Sequence, residues 1–283
     1  MSTWLNFYQN LPQNINPTAF SVGFINITWY SLTYMAAFSV AYGLLLWRIK
    51  KGEGQYKSEM LFDLTLWSVL SVIIGGRLGY VLFYNLPYYI AHPLEIISPW
   101  DSTGNFVGIY GMSYHGGLIG IILAGLIFAK KRKINFWQLS DWAIPVIPAG
   151  YFFGRLGNFL NGELYGRVTE KPWGMFFEVG YELRHPSQLY EAFLEGILLF
   201  AILWPLRNRP KLQGIFLSLY FIGYALARII AEFFREPDEQ IGYILGFLTL
   251  GQILSFLMLV TALVIIKINK KKTESFEISP NNV

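Results

Sequence analysis

No cysteine occurs anywhere in the 283 residues. That excludes disulfides, thiolate metal sites and a cysteine nucleophile of the protein's own, so any thiol chemistry belongs to a substrate. Charge is scarce as well. Asp, Glu, Lys and Arg make up 14% of the chain, against about 25% in an ordinary soluble domain. Histidine occurs only at His92, His115 and His185. The three are far apart and lack the paired carboxylate spacing of metal-ligand motifs, so neither a metal nor a cofactor is expected. Residues 1–22 hold no Lys or Arg. The basic region of a cleaved signal peptide is therefore missing, and the first apolar segment is expected to stay as a membrane helix.

What the chain has instead is apolar surface: 54% of residues are hydrophobic and the mean hydropathy is +0.40. These residues are clumped at Ile27–Trp47, Leu61–Leu82, Leu118–Ala129 and Tyr243–Ile266, runs that approach or exceed the roughly 20 residues needed to cross a bilayer. Their alternation with short basic loops argues against one large soluble core. The expected fold is all-α and integral to the membrane, a single polytopic domain over 1–283. The expected spans cover about 24–47, 61–83, 111–129, 138–157, 188–206, 214–235 and 243–266. A small periplasmic head over 158–187 joins spans four and five, and a cytoplasmic tail occupies 267–283. Prolines and glycines such as those in Ile144–Gly150 are tolerated where neighbouring helices satisfy the freed backbone groups.

The basic residues orient this arrangement. Loops 48–60, 130–133 and 207–211, with the tail, carry 15 of the 22 Lys and Arg, whereas the opposite side holds Arg167, Lys171 and Arg184. By the positive-inside rule the N-terminus is expected in the periplasm and the C-terminus in the cytoplasm of a bacterial inner membrane. This spread of charge marks topology and gives no footprint for nucleic acid. Arg77, Arg155, Arg228 and Arg235 remain, inside or at the ends of spans. A guanidinium at mid-bilayer costs about 3 kcal/mol on insertion scales, so each needs a partner or a function. Snorkelling to the outer headgroups is the plainer account and fits Arg235 best. Tyr224, Arg228, Glu232 and Arg235 recur at spacings of four, four and three, one helical face. Such a stripe must face a protein-lined cavity. By the same orientation Tyr30, Arg77, His115 and Arg155 lie toward the outer ends of their spans.

The densest polar cluster follows the fourth span: Gly154-Arg155-Leu156-Gly157-Asn158-Phe159-Leu160-Asn161-Gly162-Glu163-Leu164-Tyr165-Gly166-Arg167. Its position on the outer face argues against a nucleotide loop, since no nucleotide is expected there. The run resembles the signature of the prolipoprotein diacylglyceryl transferases, a Gly-Arg, a Gly-Asn-Phe, an Asn-x-Glu and a closing Gly. Further stretches are similar to that family in the same order: Trp29-Tyr30, Gly75–Tyr80, Tyr114–Gly120, Arg184–Glu191 and Glu232–Asp238. The segment between Gly166 and Arg184 is short for the family.

The resemblance implies transfer of a diacylglyceryl group from phosphatidylglycerol to the lipobox cysteine in the signal peptide of a prolipoprotein, with glycerol phosphate leaving. It marks Tyr30, His115, Arg155, Asn158, Glu163, Gly166, Tyr224 and Arg228 as important for activity, and Arg77, Glu232 and Arg235 as pocket residues. The chemistry fits these types. A leaving phosphate needs preorganised cations in a poorly hydrated site, and the guanidinium forks of Arg155 and Arg228 match phosphate oxygens bidentately. The thiol must lose a proton, for which His115 is favoured, with Glu163 or Tyr30 as substitutes or relays. Asn158 is a hydrogen-bond donor, and Gly166 is expected where a side chain would not fit. His115 as a helix-packing residue, a small-solute or lipid transporter, and a lipid-headgroup enzyme with another acceptor are the competing readings. Gly76-Arg77-Leu78-Gly79 recurs as Gly154-Arg155-Leu156-Gly157, but both copies sit at outward helix ends, unlike the inverted repeats of transporters.

Overall fold

The computed structural model describes residues 3–23, 25–100, 111–178, 180–237, 242–244 and 246–277. Its helices are, in chain order, α1 (Thr3–Gln9), α2 (Leu11–Asn14), α3 (Trp29–Lys50), α4 (Ser58–Tyr84), α5 (Leu86–Ala91), α6 (Tyr114–Arg132), α7 (Phe136–Ala143), α8 (Ile147–Leu160), α9 (Ser187–Glu191), α10 (Leu199–Leu206), α11 (Phe216–Glu232) and α12 (Leu250–Glu277). Among the described residues four helical stretches are long and apolar enough to cross a membrane: Trp29–Lys50, Ser58–Tyr84, Ser187–Leu206 and Leu250–Asn269. Backbone packing divides the chain into two units, Met1–Glu53 with Ser140–Val283, and Gly54–Leu139.

In the first unit, the predicted first span starts later than expected. Residues Thr18–Val22 (β1) and Ile25–Thr28 (β2) pair as an antiparallel hairpin. Its turn includes Gly23 at φ 61°, and a β-bulge lies near Phe20. The β-branched residues of Ile25-Asn26-Ile27-Thr28 favour the extended state. Thr28 then caps α3, its hydroxyl accepting from Ser31 N at 3.2 Å. The predicted fourth span is broken. Pro145 and Pro148 fall in a single 3₁₀ turn, Ile144–Val146, and in the first turn of α8, where a missing N–H is least costly. Helix α8 packs on α3 through glycine: a Cβ on Gly157 would run into the Thr33 hydroxyl, and one on Gly150 would lie 3.2 Å from Ala37 O.

The basic residues at the ends of α3 and α10 are held by one acid, Glu53. Arg48 is buried, with Nε 2.9 Å from Glu53 Oε2 and Nη1 donating to Trp142 O at 2.5 Å. Arg207 donates to both Glu53 oxygens, at 3.0 and 2.9 Å, and stacks over Trp204 and Trp47. Burial acts to raise the Glu53 pKa, but the hydrogen bonds and charges of Arg207 and Arg48 hold it below the ordinary value.

The exposed and buried faces are inverted relative to a soluble protein. On α11 the buried side carries Tyr224, Ala225, Ala227, Arg228, Ala231 and Glu232, while Leu226 and Ile230 are exposed. On α12 Gln252 and Ser255 are buried, whereas Phe256, Leu257, Val260, Leu263 and Val264 are exposed. Apolar surface outside and polar groups inside suit lipid as the surrounding medium.

The second unit is built on the crossing of α4 and α6. A Cβ on Gly116 would strike the Gly75 backbone and stand 2.8 Å from Gly79 Cα, and one on Gly75 would stand 2.5 Å from Gly116 O. Glycines four apart on both helices thus let the two backbones touch. Ser113 caps α6, accepting from Gly116 N at 3.2 Å.

A candidate lipid-phosphate site of buried arginines and carboxylates

Arg155 lies on α8, two turns after Pro148, and Arg228 on α11; both converge on the helical stretch Ser187–Leu206. That stretch is π-helical over Ala192–Leu198, a departure that recurs at functional sites. Glu191 Oε2 lies 2.9 Å from Arg155 Nε and 2.5 Å from Arg228 Nη1. Two guanidiniums from different helices therefore meet at one oxygen. Arg155 also donates to Tyr151 Oη at 2.7 Å and Asn158 Oδ1 at 3.2 Å, and Asn158 Nδ2 passes on to Glu163 Oε1 at 2.8 Å. Arg228 Nη2 pairs with Glu232, whose Oε2 accepts from the Thr249 hydroxyl at 2.9 Å; Arg235 lies 4.0 Å from Glu232 Oε1. Tyr224 Oη meets Tyr151 Oη at 3.3 Å. Tyr30, hydrogen-bonded to Tyr34 at 3.1 Å, packs beside Gly157 and senses the charges of Glu163 and Arg155.

The loop between α8 and α9 is closed over this network by backbone pairing. Gly166 bridges to Arg235, and Val168 and Met175 to Arg184. Gly166 N donates to His185 O at 2.8 Å, and Arg167 N to Phe234 O at 2.9 Å. A Cβ on Gly166 would meet Phe234 O and stand 2.6 Å from His185 O, so three chain segments converge where only glycine fits. The sharp turn itself is made just before, at Gly162 (φ 68°) and Leu164 (φ 57°). Arg184 Nη1 donates to Gly166 O at 3.2 Å and Glu236 Oε2 at 3.1 Å. The N-terminal segment joins this loop, with Gln9 Nε2 on Pro172 O at 3.1 Å and Tyr8 Oη on Trp173 O at 3.1 Å. Tyr8, Leu11 and Ile15 pack on Phe159, Met175 and Phe177. His185 Nδ1 lies 3.1 Å from Tyr190 Oη, and burial, then the charge of Lys171, lower its pKa.

Of the residues singled out in the sequence, Tyr30, Arg155, Asn158, Glu163, Gly166, Tyr224, Arg228, Glu232 and Arg235 belong to this unit. Arg77 belongs to the second unit. Its guanidinium is spent on main-chain oxygens of Ile96 (2.8 Å), Glu95 (2.6 Å) and Gly111 (3.4 Å), and it stacks 4.9 Å over Tyr89. His115 is in the first turn of α6; its side chain lies outside the described residues. Sequence reasoning missed Tyr151, Gln188, Glu191 and Glu195. The signal was there: Glu191 and Glu195 sit four apart in an apolar span, where a carboxylate needs a partner as much as an arginine does. No group of His, Asp and Glu among the described residues is placed to hold a metal ion.

These features define a helical membrane protein with a buried cluster of arginines and carboxylates. The family model for prolipoprotein diacylglyceryl transferase matches residues 17–268. The chain is 43% identical to a phosphatidylglycerol–prolipoprotein diacylglyceryl transferase of Chlorobaculum tepidum, over 98% of this chain and 96% of that one. It is 48% identical to the protein of the same name from Wolinella succinogenes, over 90% and 93%, and 46% identical to that of Legionella pneumophila, over 87% and 94%. The chain belongs to the prolipoprotein diacylglyceryl transferase family.

Proposed function

We propose that the protein transfers the diacylglyceryl group of phosphatidylglycerol to the thiol of a prolipoprotein cysteine, the first step of lipoprotein maturation. The observation that carries the site assignment is the convergence of Arg155 and Arg228 on Glu191 Oε2, at 2.9 and 2.5 Å. A phosphate oxygen has the charge and acceptor geometry to take that place. The thiolate sulfur attacks the glyceryl carbon, a carbon–sulfur bond forms and the carbon–oxygen bond to phosphate breaks. Negative charge gathers on the departing glycerol phosphate, which Arg155 and Arg228 stabilise in a site closed to bulk water. The thiol proton goes to a base and then to the phosphate, so the reaction is balanced without a cofactor. We assign the base to His115 from the sequence, with Glu163 and Tyr30 as alternatives. Asn158 holds Arg155 and Glu163 in register, and Gly166 lets the loop close. Arg235 and Glu232 order Arg228, and Arg77, placed with them by the family resemblance, serves headgroup entry.

The architecture that goes with this reading has seven spans in a bacterial inner membrane, the N-terminus periplasmic and the C-terminus cytoplasmic. The loop 158–187 forms a periplasmic head, and the acceptor cysteine is presented by a lipobox signal peptide. What supports it is the basic-loop asymmetry and the apolar exposed faces of α11 and α12.

The test is direct. Purified protein is given phosphatidylglycerol and a lipobox peptide with one Cys, and the peptide mass is followed. A gain of one diacylglyceryl group is expected, lost with a Cys→Ser peptide and with Arg155→Ala. No gain from folded protein across several anionic lipids sinks the assignment.

A further inference from the structure

Glu195 has no part in the reaction as described. It follows Glu191 by four residues inside the π-helical stretch and is wholly buried. No arginine donates a hydrogen bond to either of its carboxyl oxygens, and the Tyr151 hydroxyl is the neighbour placed to hydrogen-bond it. Arg228 Nη1 stands 3.9 Å away, beyond hydrogen-bond reach, because that nitrogen is engaged by Glu191 at 2.5 Å. The groups facing Glu195 come from three helices: Glu191 beside it, Arg155 and Tyr151 on α8, and Arg228 on α11.

Charge counting gives this geometry a meaning. Arg155, Arg228 and Arg235 form one network with Glu191, Glu195 and Glu232. Ionised throughout, the three arginines and three glutamates have no net charge. A neutral cluster offers a phosphodiester little net attraction. One proton on one carboxyl leaves a single positive charge, the match for a monoanionic phosphodiester. Glu191 and Glu232 each hold guanidiniums directly, so protonating either breaks an ion pair. Glu195 has no guanidinium hydrogen bond to lose, its nearest arginine nitrogen standing at 3.9 Å, so it is the most costly of the three to ionise.

We propose that Glu195 is carried as the neutral, proton-bearing acid, and that its proton supplies the net positive charge with which the arginine cluster takes an anionic phospholipid headgroup. The proposal rests on the phosphate-binding role given to Arg155 and Arg228 above. Glu195 is a positioning residue: no bond is made or broken at it, and it acts through Arg228. Selection among lipids follows. A zwitterionic headgroup brings its own cation into a cluster already positive and gains less than phosphatidylglycerol does. A pH dependence follows too. Binding of the anion favours the protonated acid, so once Glu195 begins to ionise in the lipid-free protein, affinity falls by up to about tenfold per pH unit.

The experiment measures binding of short-chain phosphatidylglycerol, and of short-chain phosphatidylcholine, to the full-length protein in detergent from mildly acid to mildly alkaline pH. Wild type is compared with Glu195→Gln, a neutral isostere, and with Arg155→Ala. Infrared difference spectra of lipid binding follow the carbonyl stretch of a protonated carboxyl. Expected are wild-type affinity for phosphatidylglycerol that declines with rising pH, and a Glu195→Gln protein that binds as tightly as wild type does in acid but without the decline. The carboxylic-acid band is expected in wild type and absent from the variant. A folded Glu195→Gln protein that binds far more weakly at every pH, or keeps the wild-type slope, overturns the proposal while Arg155→Ala still abolishes binding. Unaltered binding by Arg155→Ala overturns the phosphate site itself, and the proposal with it.

Discussion

Replacing Glu191 with leucine removes the oxygen on which Arg155 and Arg228 converge and leaves both guanidiniums in a buried site. Breaking a buried ion pair from one side typically costs about 3–5 kcal/mol, since the remaining charge is desolvated and uncompensated. Two features of this site place the expected loss near the lower end, about 3 kcal/mol. Arg155 keeps its bonds to Tyr151 and Asn158, and Arg228 keeps Glu232. Glu191 also carries both contacts on Oε2 while Oε1 has no hydrogen-bond partner, so the change deletes one shared acceptor and not two independent ones. The assay is equilibrium unfolding in mild detergent by added denaturing detergent, followed by intrinsic tryptophan fluorescence. A double-mutant cycle with Arg228→Met sharpens it: the paired replacement is expected to cost less than the sum of the two single ones, by about 1–3 kcal/mol, because contacting residues couple. Stability within about 0.5 kcal/mol of wild type for Glu191→Leu, the size of an ordinary surface change, would refute the claim that this carboxylate holds the cluster together. So would strict additivity in the cycle.

Three further outcomes follow from the packing and the titrating groups. Gly116→Val is expected to disrupt the α4–α6 crossing and lower yield and thermal stability in detergent, while Gly117→Ala, whose Cβ would meet Val72 at an ordinary 3.5 Å, is expected to be neutral in the same melt. Gly166→Ala is expected to abolish transfer to the lipobox peptide with the protein still folded, because the added methyl forces apart the Gly166, His185 and Phe234 backbones; wild-type activity would show that the loop closes without that contact. His185 has a folded pKa below its unfolded one, through burial and then Lys171. Below the unfolded value of about 6.5 the unfolded chain binds the extra proton, so stability declines as pH falls through that point and levels off below the folded pKa. Unfolding midpoints against pH should show this decline in wild type and a shallower one in His185→Gln.

Much of the fold could be read because membrane insertion imposes a coarse rule. The apolar runs at Ile27–Trp47, Leu61–Leu82 and Tyr243–Ile266 overlap three of the four helices long and apolar enough to span, and the predicted span at 188–206 overlaps the fourth. Local backbone chemistry was less visible. The strand Ile25–Thr28 is as apolar as the helix after it, and hydropathy does not separate an extended segment from the start of a span. Pro145 and Pro148 signalled a tolerated irregularity, whereas the structure makes a 3₁₀ turn between two shorter helices. The glycines of Gly75–Gly79 and Gly116–Gly120 entered the sequence reading as motif residues. Their physical reason, two backbones in contact, needs both helices at once and cannot be seen in either alone.

The site divides along the same line. Arg155, Arg228 and Arg235 stood out because a cation in an apolar run demands an explanation, and the stripe Tyr224–Arg228–Glu232–Arg235 fixed the face on which to seek it. Of the acids that answer them Glu232 was found on that stripe, but Glu191 and Glu195 were overlooked as site residues, although they lie in an equally apolar run and are buried to the same degree or more. The positive-inside rule sorts Lys and Arg and takes little account of Asp and Glu, so a reading organised by topology sees only one sign of charge. Desolvation makes no such distinction: an ion of either sign taken from water costs several kcal/mol unless it is paired. A membrane span with one arginine should therefore be read together with every span that carries a glutamate. Arg155 with Glu191, and Arg228 with Glu191, are the pairs that this rule adds to the Arg228–Glu232 pair already visible on one helical face.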